Sequence, residues 1–226
     1  MDVLRTLLAI AFVGLLVRLR YDADRFEAVE SDPGPTAATW SGYGLRLAWV
    51  LVAIALTGAV GLLWPDGPSA LGLSPGGGIG AIIVGLVVGG IAAAILVGGL
   101  WLAGGSSPLP VLRPSDIGWA AVNATTTALV DELAFRGAAM GLLLVAGADP
   151  GLAVVGQAIA YALATRLARA EGGMLPLLAT LLFGLLAGWL ALATGGLLAP
   201  IVAHLVVRAT ALAYAADLLP LDAHSG

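Results

Sequence analysis

The sequence predicts an all-α fold, a polytopic transmembrane helix bundle of about seven spans, and three observations predict it. The chain is 60% hydrophobic and only 11% charged, with a mean hydropathy of +1.01, more apolar than a water-soluble domain could bury or expose. Uncharged, mostly apolar runs of about 20 residues recur along it, the length that crosses a bilayer as helix. Between them fall turn formers such as Asp149-Pro150-Gly151, Glu171-Gly172-Gly173 and Thr194-Gly195-Gly196.

The first run, residues 6–17, is closed by Arg5 on one side and by Arg18 and Arg20 on the other. It has no small-residue cleavage pattern and reads as a retained span rather than a signal peptide. Residues 21–41 carry Asp22, Asp24, Glu27, Glu30 and Asp32 ahead of Pro33 and Pro35, a solvated acidic loop. The later runs are 47–64, 79–102, 117–145, 151–168, 174–193 and 197–219. Residues 1–116 therefore read as an N-terminal membrane region of three spans, 117–219 as a membrane core and 220–226 as a polar tail.

Arginine placement sets the expected orientation, because cytoplasmic loops carry the positive excess. With the N-terminus outside and the C-terminus cytoplasmic, Arg18, Arg20, Arg25, Arg46, Arg113, Arg166 and Arg169 fall on the cytoplasmic side of a plasma membrane, and Arg5 outside. Splitting 117–145 into two passes would move Arg166 and Arg169 outside, so it is kept as one long, tilted segment.

Composition also excludes chemistry. There is no cysteine, hence no thiolate metal site or cysteine nucleophile. All ten cations are arginines, so there is no Schiff-base or P-loop lysine. The formal charge of −4 argues against nucleic acid. His204 and His224 are the only histidines and His224 lies in the polar tail, so a catalytic zinc, which usually takes three protein ligands, is poorly supported, and no metal or other cofactor is expected. Partners are membrane lipid and a membrane-associated peptide or protein; oligomeric state is open, because the glycine pairs Gly85/Gly89, Gly137/Gly141 and Gly184/Gly188 let helices approach within one chain or between two. Asn123-Ala124-Thr125 has the glycosylation pattern but lies inside a span, where it has no such meaning.

The informative residues are the ionisable ones inside spans, each costly if it faces lipid. Asp131, Glu132 and Arg136 lie in the fourth segment, His204 and Arg208 in the seventh. Glu132 and Arg136 are four apart, as are His204 and Arg208, so each pair shares a helix face. The expected arrangement sets Asp131 and Glu132 against Arg208, with Arg136 pairing locally. Such a group can move protons or ions, activate water, or simply lock helices together. The first three spans carry no recognisable site and read as scaffold.

The stretch Val130-Asp131-Glu132-Leu133-Ala134-Phe135-Arg136-Gly137 resembles the EExxxR motif of the CPBP intramembrane protease family, which includes type II CAAX prenyl endopeptidases. The approach to His204, from Thr194 to Ala203, is similar to that family's HxxxN region, and Tyr161 to Thr165 stands where it has FxxxH. The resemblance spans 117–212. It implies a glutamate-dependent endopeptidase in which the leading acid and the second-motif His activate water while the third-motif His and Asn hold the oxyanion. Carried over, Asp131 and Glu132 are the acids, Arg136 the motif arginine and His204 the oxyanion histidine. Three positions are degenerate: Tyr161 replaces Phe, Thr165 the activating His, and Arg208 the Asn. A hydroxyl cannot serve as a general base near neutral pH, and Asp131 is one methylene shorter than Glu. Two functions follow: an endopeptidase driven by the remaining carboxylates, or a catalytically impaired relative that binds a membrane partner or acts as a scaffold around a buried Asp/Glu-Arg network. A proton-coupled transporter is less well supported, since no internal repeat is evident.

Overall fold

The computed structural model describes residues 3–26, 40–64, 67–102, 114–166 and 174–215. Among these residues there are helices and no strands. In order they are α1 (Val3–Tyr21), α2 (Trp40–Leu63), α3 (Gly78–Leu102), α4 (Pro114–Asp131), a π-helical segment (Glu132–Ala139), α5 (Met140–Val145), α6 (Pro150–Arg166), α7 (Met174–Thr194) and α8 (Leu198–Ala215), with short 3-10 turns at Ala23–Phe26 and Pro68–Leu71. Because α4, the π segment and α5 run on without a break, the described chain forms seven helical rods, one for each predicted apolar run.

Length and composition separate these rods. The stretches Ser41–Leu63, Gly78–Gly99 and Pro176–Thr194 are long and apolar enough to cross a membrane on their own. Pro150–Thr165 and Leu198–Ala213 are shorter apolar helices. The fourth predicted run is one continuous rod, as expected.

Local chemistry explains the rod ends. Pro150 opens α6, and the Asp149 carboxylate accepts from the Gly151 and Leu152 backbone N–H groups at 2.8 and 3.4 Å, an N-cap for donors that have no partner within the helix. Gly147, with φ of +89°, closes α5: its N–H bonds the Leu144 carbonyl and the Ala148 N–H reaches back to Leu143, both at 3.0 Å. This is the paired bonding of a Schellman cap.

α3 packs chiefly on α8, α6 on α7 and α1 on α2. The glycine pairs are where backbones come closest. A Cβ at Gly89 would sit 2.8 Å from the Ala203 Cα, and one at Gly184 3.0 Å from the Ala158 Cβ. Gly137 and Gly141 instead admit Leu73 and Leu71, from the segment ahead of α3. That segment clasps the α7–α8 turn. Leu197 and Leu198 N–H groups donate to Ser74 and Pro75 carbonyls at 2.9 and 3.0 Å, and the Ser74 hydroxyl donates to the Gly195 carbonyl at 2.7 Å. The clasp fixes the start of α8, and with it His204 two turns later.

Two arginines assigned to cytoplasmic loops lie inside the bundle instead. α1 continues four residues past the predicted run, through Arg18 and Arg20, and Arg20 is buried. α2 begins at Trp40, so Arg46 is a helical residue; it is buried, stacks on the Trp119 ring at 4.3 Å and donates to the Thr126 hydroxyl at 3.2 Å. Both are held by polar or aromatic partners that the hydropathy pattern does not reveal. Their charges therefore do not bear on orientation as loop charges. Arg113, Arg169, His224 and residues 27–39 of the acidic loop lie outside the described residues.

Candidate functional site

The first motif begins at Asp131, the last residue of α4, and continues through the π segment. A π turn accommodates one more residue than an α turn, and such segments recur at functional sites. Asp131 closes α4, and Glu132 and Arg136 lie within the π segment; all three are wholly buried, and Ala134, Phe135 and the small residues 137–139 are buried as well.

Glu132 is the hub. Its Oε1 lies 2.7 Å from His204 Nδ1 of α8 and 3.1 Å from Arg136 NH1 one turn along its own segment. Which of the two donates in the His204 contact follows from the ring tautomer. The opposite ring atom, His204 Nε2, stands 3.9 Å from Asp131 Oδ2. His204 thus bridges the two acids.

Aromatic rings line the rest. Arg136 lies over the Tyr161 ring at 4.5 Å and near that of Phe183 at 5.9 Å, while the His204 ring meets Phe183 edge-on at 4.9 Å. A guanidinium on ring faces in a desolvated place is held by about 2 kcal/mol or more. Tyr161, substituting for phenylalanine, keeps the stacking surface.

The cation opposite Asp131 is not the expected one. Arg20 of α1, buried, places Nε 2.7 Å from Asp131 Oδ1. Arg208 lies one turn beyond His204 on α8 and its NH2 donates to Asn123 Oδ1 at 2.8 Å. The reason is geometric: Asn123 is two turns ahead of Asp131 on α4, so the α8 residue one turn past His204 meets Asn123 in the antiparallel pairing. Neither Arg20 Nε nor Arg136 NH1 lines up as a straight hydrogen bond to its acid, so both contacts are ion pairs held by charge and proximity.

Thr165 is buried near the end of α6, and its hydroxyl donates to carbonyls of its own helix, Tyr161 at 2.8 Å and Ala162 at 3.2 Å. A hydroxyl tied back in this way is the usual resting state of a mid-helix threonine.

The structure therefore brings Asp131, Glu132, Arg136, Tyr161 and His204 into one cluster. It adds three residues that the sequence reading left out. Arg20 was counted as a loop charge. Asn123 was set aside with its glycosylation pattern; it is buried and accepts from both Arg208 and Thr127. Phe183 had no signal beyond being apolar. For Arg20, the signal available was the excess of acids over cations in the fourth segment, which required a cation from elsewhere. Among the described residues no group of three or more His, Cys, Asp or Glu side chains has the geometry to hold a metal ion.

Residues 113–210 match the family model described as type II CAAX prenyl endopeptidase Rce1-like. The recognition drawn from the motifs is supported over that segment, which contains the π turn and every degenerate position. No curated protein and no solved structure matches the chain.

Proposed function

We propose that this protein, whose residues 113–210 match the Rce1-like model, keeps the CAAX-protease-like architecture but uses its intramembrane acids as a buried charge lock, and acts by binding a membrane-associated peptide or protein rather than by cutting it. One observation carries the proposal: Glu132 Oε1 is held at once by His204 at 2.7 Å and Arg136 at 3.1 Å. A carboxylate that is to activate water must take a proton from it, and one already hydrogen-bonded to a histidine and facing a cation is a weak base. Arg20 puts Asp131 in the same position. Thr165 offers no basic nitrogen, and its hydroxyl is engaged within α6.

Hydrolysis is the second reading, and one observation favours it. Glu132 Oε2 is buried without a hydrogen-bond partner among the described residues. Such an oxygen is a place where a water could be held.

Glu132→Gln separates the two in reconstituted bilayers containing a cleavable transmembrane reporter. The charge lock predicts no cleavage by the wild type and a loss of stability of about 3–5 kcal/mol in the variant, because Arg136 is left buried beside a neutral amide. Cleavage by the wild type that Glu132→Gln abolishes would establish the hydrolytic reading instead.

A further inference from the structure

We propose that residues 72–77, a strap between α2 and α3, fill the chain's own peptide-docking groove, and that an extended membrane-associated peptide with a leucine-sized apolar side chain binds there by taking the strap's place. The inference rests on the peptide-binding reading and deepens it, naming where the peptide lies and what it carries.

The strap is gripped largely through its main chain. The Leu197 and Leu198 N–H groups donate to the Ser74 and Pro75 carbonyls at 2.9 and 3.0 Å, and the Gly77 N–H donates to the Thr194 carbonyl at 3.1 Å. Bonds of this kind do not depend on side-chain identity, which is how proteins bind extended peptides of varied sequence. Both donors belong to the opening of α8, where N–H groups lack a partner within the helix and take one from outside. The Ser74 hydroxyl adds one side-chain bond, to the Gly195 carbonyl at 2.7 Å. Selectivity falls to Leu73, which is partly buried against the main apolar core. It lies on Gly137, the residue after Arg136, with Leu197 beside it, so that a Cβ at Gly137 would meet both leucines. Gly196 keeps the groove open, since a Cβ there would strike the main chain of Ser74 and Gly76.

The strap's two ends allow exchange. Leu71, ahead of it, is fully buried with its main chain against Gly141, and α3 begins at Gly78, so both posts stay in place. Between them Pro75 and Gly77 are exposed and Ser74 is half-buried. Gly72 and Gly78 have φ of +71° and +58°, and a Cβ at either would touch nothing, so these turns are set by backbone freedom and not by packing. The bonds from the Gly72 N–H to Ser69 and from the Gly78 N–H to Gly76 are local to the strap and its ends. Lifting the strap alone would leave the Leu197 and Leu198 donors unpaired and the slot over Gly137 empty, a cost that keeps it down. A peptide that brings two carbonyls, an N–H and a leucine side chain refills those positions.

The test uses a synthetic peptide copying residues 71–77, Leu-Gly-Leu-Ser-Pro-Gly-Gly, acetylated and amidated, with photo-leucine in place of Leu73. It is added to the chain in nanodiscs, and labelling is titrated and mapped by mass spectrometry. Tethering gives the strap an effective concentration on the order of millimolar, so the unaltered chain is expected to label weakly. Ser74→Ala and Leu73→Ala weaken the strap and leave the groove as it is. Each is expected to raise the apparent affinity for the probe by about 10-fold, as the open fraction rises with the loss of one contact. Crosslinks are expected within residues 137–141 or 194–198. Gly196→Ala, which closes the groove to strap and probe alike, is expected to abolish them. A variant that only unfolds would label less, so the sign of the change separates exchange from damage. Labelling of both strap variants no stronger than that of the unaltered chain would overturn the proposal, as would crosslinks confined to other parts of the chain. Cleavage of a transmembrane reporter by the unaltered chain would end the charge-lock reading and leave the exchange standing, so the two failures are distinct.

Discussion

Arg136→Leu is expected to destabilise the bundle by about 3–5 kcal/mol, since removing one partner of a buried pair leaves the other charge uncompensated. Arg136 is wholly buried, 3.1 Å from Glu132 and stacked on Tyr161, with Phe183 close by. Leucine fills part of the volume but supplies neither charge nor attraction to ring faces. Glu132 would then depend on His204 alone. Arg136→Lys keeps the charge and is expected to cost less, though not nothing, because an ammonium lacks the planar face that lies on Tyr161. Unfolding in mixed micelles with increasing SDS fraction measures both. Equal stability of Arg136→Leu and the wild type would mean that Glu132 is neutral in the folded chain.

Restoring the family's histidine and asparagine is the second large expected effect, and its outcome depends on α1. Thr165→His with Arg208→Asn supplies a base and an amide at two of the three degenerate positions, yet Arg20 still neutralises Asp131. The double variant is therefore expected to show no cleavage of a transmembrane reporter in liposomes. Adding Arg20→Gln frees the leading acid, and cleavage is expected to rise by about 10²–10⁴-fold over background, the usual contribution of a positioned general base. A double variant already as fast as the triple would mean that Arg20 does not block the site.

Much of this architecture was legible in the residues, and what was not legible has a physical explanation. Hydropathy marks where a helix can sit in lipid, so the seven apolar runs correspond to the seven rods, and the 117–145 run remains a single one. The pair Glu132 and Arg136, four apart, meets as expected because a spacing of four survives the change from α to π turn. Arg20 was missed because an arginine at the end of an apolar run reads as a loop charge unless its partner is known. That partner lies 111 positions away on another rod, beyond any periodicity. Arg208 shares a helix face with His204 and is expected against the acids, whereas the facing of α8 on α4 sets it against Asn123. The π segment, which carries Glu132 and Arg136, has no composition signature.

A double-mutant cycle on Arg20 and Asp131 tests most directly whether the buried acids are committed to the chain's own cations. Arg20→Gln, Asp131→Asn and the combination are compared with the wild type by unfolding in SDS-containing micelles. The charge lock predicts that the double variant loses less stability than the two single losses added together, with a coupling of about 1–3 kcal/mol, as contacting charged residues give. Additive losses, with no coupling, would contradict it and release Asp131 for chemistry.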